Sequence, residues 1–204
     1  GPEGPAPADG DALMAQGDEA YMLRLARELD DAVLHLRLNE VELGVWVIRT
    51  QGDPQAVLAH EAAVLGSDHW LAGEIRHYWK RVLKRVDVAV DRSYMMEDEC
   101  EGDNRPTAVV TLSEGNFGTY PMGNGLSRLQ TRFYGSDGIA DSLHTHLGAA
   151  LEAEEADELG LVTMILDDID WEDEIRIFLE ERASVSPDAM TGMEANLRFA
   201  GPET

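Results

Sequence analysis

The residues of this chain best suited to chemistry lie in Leu112-Ser-Glu-Gly-Asn-Phe-Gly-Thr-Tyr-Pro-Met-Gly-Asn-Gly-Leu-Ser-Arg-Leu129. A β-rich run over 107–112 enters this glycine-rich loop and a helix over 126–134 is expected to leave it. Strand, glycine loop and helix is the order of a phosphate cradle, whose backbone N–H groups face an anion. The details exclude that reading. Neither G-x-x-x-x-G-K-[ST] nor G-x-G-x-x-G is present, Pro121 interrupts the loop, and Glu114 would repel a phosphate. Taken alone, Glu114 reads as a solvated loop carboxylate.

Other reactive groups are weaker candidates. His144-Thr-His146 falls in an expected helix, where the two imidazoles diverge, and no nearby cysteine or second pair completes a metal site. Glu97-Asp-Glu-Cys-Glu-Gly-Asp103 is acidic but lacks the spacing of a calcium loop. Acidic neighbours disfavour the thiolate of Cys100, so it is a poor nucleophile. No Ser/His/Asp order can be defended. Arg76, Lys80, Arg81, Lys84 and Arg85 form a basic cluster that suits either a phosphate group or a solvated helix face. Met95, Met96, Met122, Met190 and Met193 are read as packing residues.

The elements that must position these groups follow from periodicity. Residues 1–17 are rich in Pro, Gly, Ala and Asp and aperiodic, which predicts a linker. Leu23, Leu25, Ala26, Leu29, Val33, Leu34 and Leu36 recur at helical spacing until Asn39. Residues 42–50, Glu-Leu-Gly-Val-Trp-Val-Ile-Arg-Thr, predict a strand, closed by the turn signal Gln51-Gly-Asp-Pro54. A short helix from Gln55 precedes a long one reaching about Val86, with Ser67 or Asp68 as its cap. The apolar stripe of the long helix is Trp70, Leu71, Ile75, Tyr78, Trp79, Val82, Leu83 and Val86. Further helices are expected after Ser136-Asp137 and over 153–159, where Gly160 stops the second, and a third strand over 161–166. Asp170 is expected to cap a helix to about Arg182, and Ser186-Pro187 to start a last helical piece. Alternating strands and helices predict an α/β fold.

Composition narrows the function classes. Sixteen Lys and Arg oppose 40 Asp and Glu among 204 residues, a net charge of −24. Such acidity excludes nucleic acid and anionic membrane surfaces as partners, because both require basic patches. The longest uncharged apolar run, about 43–48, is far shorter than the ~20 residues of a membrane span. A single cysteine precludes an intrachain disulfide and suits a reducing, cytoplasmic setting. The opening Gly-Pro-Glu-Gly-Pro reads as a linker into something larger.

The 112–129 segment closely resembles a signature of the crotonase superfamily. There a glutamate follows a strand, and Gly, a turn with Pro, further glycines and a polar-Arg-Leu triplet come next. Here these are Glu114, Gly118, Pro121, Gly123, Gly125 and Ser127-Arg128-Leu129. Supporting stretches include Ala26-Arg-Glu-Leu-Asp-Asp-Ala32, Asp68-His-Trp70, Asp91-Arg-Ser-Tyr-Met95, Asn116-Phe-Gly118, Tyr120-Pro-Met122, Asp168-Ile-Asp-Trp171 and Glu194-Ala-Asn-Leu-Arg-Phe199. The resemblance spans about residues 20–204 and is strongest to the ring-opening acyl-CoA lyases of that superfamily.

It implies a crotonase-like ββα superhelix, with a core over 18–168 and a helical C-terminal region over 169–204. It implies an acyl-CoA substrate, an oxygenated benzoyl-CoA ring opened with release of formate, no metal or redox cofactor, and a homodimer or larger homo-oligomer. Superfamily enzymes hold a thioester carbonyl between two backbone N–H donors, whose preorganisation favours the enolate-like transition state. The first donor would fall near Leu58–His60, with His60 the gapless match. Glu114 would be a water- or proton-handling carboxylate, and Gly118, Tyr120 and Pro121 would lie against the substrate. The family also carries a strand, a glycine loop with the second donor and a helix with another glutamate where this chain joins Val90 to Asp91. Losing one such donor costs ~10²–10³ in rate. Two alternatives therefore stay open: a generic enoyl-CoA hydratase or isomerase, and an inactive acyl-CoA-binding fragment or assembly subunit.

Overall fold

The computed structural model describes residues 1–40, 42–86, 92–97, 106–136, 138–186, 188–190 and 192. The Val90–Asp91 junction, Cys100 with most of the acidic 97–104 loop, Met193 and the 194–199 tail motif lie outside the described residues. Contacts group the chain into two units, Gly1–Ala89 with Leu112–Ser142, and Val90–Thr111 with Leu143–Thr204.

The first unit is helical. Its elements are α1 (Gly10–Gln16), α2 (Tyr21–Leu38), α3 (Pro54–Leu65), α4 (Trp70–Val86), a 3-10 turn (Glu114–Phe117), α5 (Arg128–Arg132) and α6 (Ile139–Ser142). Residues 1–17 are thus not wholly a linker. The Asp9 carboxylate accepts the Ala12 N–H at 2.8 Å and caps α1, and Leu13 is buried, so one capped turn with one apolar anchor suffices to order it. Asp53 caps α3 by accepting the Gln55 and Ala56 N–H groups, with Pro54 in the first turn where its missing donor is harmless.

Helices α2 and α4 build the core with the expected faces. Met22 and Ala26 from α2 and Ala72, Ile75, Trp79 and Val82 from α4 are buried together with Leu13, Val64 and Tyr120. The indole N–H of Trp79 donates to the Met22 carbonyl at 2.9 Å, satisfying its polar atom inside the core. Asp30 is buried at the same seam, where it accepts from the Arg85 guanidinium and from the Tyr78 hydroxyl. The start of α4 differs from expectation. Ser67 accepts the His69 N–H, and His69 Nδ1 accepts the Leu71 N–H, so the cap sits one residue closer to the helix. Trp70, placed in the stripe by spacing, is 62% exposed as the first residue of α4, just after the His69 cap.

Residues 42–50 correct the strand expectation. They join no ladder among the described residues, and Leu43, Val45, Val47 and Ile48 are exposed. A strand needs a partner to satisfy its backbone, and β-propensity alone supplies none.

The second unit is mixed. Strand β1 (Tyr94–Met96) pairs in parallel with β2 (Met164–Leu166), with Tyr94 opposite Met164 and Met96 opposite Leu166. The expected strand over 107–112 is reduced to an antiparallel bridge between Val110 and Leu151, closed by two 2.9 Å hydrogen bonds. A 3-10 turn (Leu143–His146) and α7 (Ala153–Glu158) follow, and Gly160, at φ 68°, ends the latter. Met95, Leu151, Ala153, Ala156 and Val162 form the core. Helix α8 (Trp171–Ser184) starts after Asp170, but the Asp170 side chain makes no capping bond; its N–H instead donates to Asp167 Oδ1 at 2.8 Å. The Arg92 and Arg182 guanidiniums lie over the Phe178 ring of α8, with the Tyr94 ring edge-on to it. The chain is therefore mixed helix and sheet, in line with an α/β class, with far less sheet than the sequence pattern suggests.

Candidate functional site

The site begins with two serines. Ser113 caps the turn that carries Glu114: its hydroxyl accepts the Gly115 N–H at 3.2 Å, while Asn116 Oδ1 accepts the Ser113 N–H at 2.8 Å. Ser127 repeats the device at α5, accepting the Gln130 N–H while Gln130 Oε1 accepts the Ser127 N–H. Between them, the Met122 N–H donates to the Leu126 carbonyl at 2.8 Å, and Arg128 donates to the Tyr120 carbonyl at 2.8 Å. The glycine-rich loop is thus fastened at both ends and across its middle. Its capping pairs, S-x-x-N and S-x-x-Q, were visible in the sequence as local signals. Gly118 closes the turn at φ 123°, a conformation open to glycine and strained for other residues.

The expected site residues separate in this frame. Glu114 is exposed in the first position of its turn, as is Gly118 at the turn's end, whereas Pro121 is half-buried. Tyr120 is 7% exposed and belongs to the core of the first unit, so it does not present an open contact surface. Leu58 and His60 fall in the middle of α3. Their N–H groups belong to the helical ladder, which corrects the picture of free donors at a strand end: a thioester oxygen could use them only if this helix turn opened. The His60 ring is engaged as well. Its Nε2 lies 3.0 Å from the Gly4 carbonyl and therefore carries the proton, and the ring packs edge-on against Tyr21.

Beneath Glu114 lies a group that sequence reasoning missed. Glu61 follows His60 on α3 and hydrogen-bonds with Ser113. Burial pushes the Glu61 carboxyl above its usual range, and the Ser113 hydrogen bond partly offsets this. The Tyr120 hydroxyl is buried without a hydrogen-bond partner among the described residues. Its ionisation is pushed well up, first by burial and then by the Glu61 charge, with Arg76 acting in the opposite direction. No local pattern announces this cluster, because Glu61, Arg76 and Tyr120 come from distant points of the chain.

The basic cluster on α4 is largely occupied. Arg76 Nη1 donates to the Val64 and Ser67 carbonyls at 2.6 and 2.8 Å, closing the end of α3. Arg85 pairs with Asp30, and Arg81 lies over the Tyr78 ring. His144 and His146 sit on the 3-10 turn of the second unit, with His146 Nδ1 3.7 Å from Glu155. Among the described residues no group of three His, Cys, Asp or Glu side chains is placed to hold a metal, and no helix is long and apolar enough to cross a membrane.

No protein-family profile matches the chain. It is similar to the benzoyl-CoA-dihydrodiol lyase of Aromatoleum evansii, with 45% identity over 217 aligned positions covering 94% of this chain. The chain spans 38% of that relative's length. Since 94% of 204 residues is about 192, about 25 of the 217 aligned positions have no counterpart here.

Proposed function

We propose that this chain is the Glu114-bearing part of an acyl-CoA lyase that opens an oxygenated benzoyl-CoA ring with release of formate. The observation that carries the reading is 45% identity to a benzoyl-CoA-dihydrodiol lyase over nearly the whole chain. The capped loop fits it, because a carboxylate on a fastened turn can meet substrate at a defined point, and general acid–base catalysis depends on that geometry. Glu114 is the group assigned to water or proton handling, with Gly118 and Pro121 beside it on the loop. No metal or redox cofactor is needed, since coenzyme A is part of the substrate. A crotonase-like fold, a cytoplasmic location and a homo-oligomeric assembly complete the proposal.

The test is turnover of the oxygenated benzoyl-CoA compared with crotonyl-CoA. Glu114→Gln is expected to lower kcat by ~10²–10⁴, the usual contribution of a positioned acid or base. Full activity in that variant would remove Glu114 from the mechanism, and preference for crotonyl-CoA would favour a generic enoyl-CoA hydratase or isomerase.

The unmatched aligned positions favour one further reading, an acyl-CoA-binding subunit without turnover. The commitment of the Leu58 and His60 amides to α3 points the same way. Calorimetry showing benzoyl-CoA binding with no reaction would support it, and absence of binding would remove both readings.

A further inference from the structure

Glu61 is a half-buried titratable group that the proposed chemistry leaves unused, and its carboxylate abuts the backbone of the Glu114 turn. A Cβ added at Gly115 would stand 2.5 Å from Glu61 Oε1 and 3.2 Å from its Cδ. Only a glycine at 115 lets the carboxylate come this close. The Ser113 hydroxyl, which accepts the Gly115 N–H and donates to Asn116 Oδ1, also lies beside Glu61, so one side chain connects α3 to the start of the turn. Glu114 itself is exposed, and its side chain has no partner among the described residues. The position of its carboxyl group therefore depends on the backbone of the turn.

We infer that Glu61 is a positioning residue for Glu114, bracing the Ser113–Phe117 turn from α3 through Ser113 and the open face of Gly115. The inference rests on the role given to Glu114 above. The Glu61 charge acts on the Tyr120 phenol of the glycine-rich loop, and Arg76 of α4 acts on the same phenol in the opposite direction.

The experiment follows the Gly115 and Asn116 amide signals of the isotopically labelled full chain by NMR as pH is varied. In the unmodified protein both signals titrate with a midpoint above 4.5, the ordinary glutamate value. Glu61→Gln keeps the shape and a hydrogen-bond acceptor, so the titration is lost while hydrogen exchange at the two amides stays slow. Glu61→Ala removes the acceptor as well, and exchange at both amides accelerates. In turnover, Glu61→Ala lowers kcat with KM nearly unchanged, and Glu61→Gln restores most of it. Persistent titration in Glu61→Gln together with unchanged exchange in Glu61→Ala would overturn the brace. Should Glu114→Gln retain full turnover while Gly115 still responds to Glu61, the catalytic reading of Glu114 falls and the contact between α3 and the turn stands. An inactive Glu114→Gln with Gly115 indifferent to Glu61 removes the brace alone.

Discussion

Helix α4 and residues 42–50 carry the two clearest apolar patterns in the first unit, and they end up in opposite conditions. In α4, Ile75, Trp79 and Val82 of the period-3.6 stripe are buried, with Ile75 fully inaccessible. In 42–50 a denser apolar sequence lies exposed, with Val47 at 51%. The difference is one of hydrogen bonding before it is one of hydrophobicity. A helix satisfies its backbone within itself and needs a neighbour only for one stripe of side chains. A strand must find a partner for its backbone as well, and that partner comes from elsewhere in the chain. Helices α1, α2 and α3 supply the neighbour for α4. Among the described residues nothing supplies a ladder for 42–50.

The largest effect expected from this contrast is at Ile75. Ile75→Ala removes a fully buried side chain from the meeting of α4 with its neighbours and should cost about 2–5 kcal/mol, read from the urea midpoint. A loss below 1 kcal/mol would mean that the α4 face is not the core of the unit.

A smaller effect, with a sign that depends on pH, is expected at Glu61. Its folded-state carboxyl is held above the ordinary value by burial, so the folded protein binds more protons than the unfolded one at intermediate pH. The contribution of this group to stability is then fully present below pH 4.5 and is lost as pH rises through the folded value. Glu61→Gln should raise Tm at neutral pH, and its curve should converge on that of the unmodified protein in acid. A difference that grows on acidification would reverse the assignment.

The smallest effect separates the two patterns most cleanly. Val47→Asp would be severe in a paired, buried strand, yet in this exposed segment it should change stability by less than about 0.5 kcal/mol. A cost comparable to that of Ile75→Ala would show that 42–50 is packed in solution.

Much of the site was legible locally. Ser113 and Ser127 each precede an amide side chain by three residues, and both pairs form capping boxes as short-range geometry requires. Helices α2 and α4 were legible for the same reason, since periodicity and caps lie within each segment. At the expected donor His60, Asp53-Pro54 is a strong local helix start that takes the following amides into α3.

Sequence alone therefore determined helices α2 and α4, the acidic balance and the likeness to a benzoyl-CoA-dihydrodiol lyase, because each is written in neighbouring residues or in their order along the chain. Tertiary structure alone decided which strand-forming runs found partners. The Ser93 and Thr163 contacts that flank the β1–β2 pair join residues 70 positions apart. It also decided that Glu61, Arg76 and Ser113, all half-buried, meet around the buried Tyr120. Burial and charge coupling act through space, and no local pattern of residue types encodes which distant groups will meet.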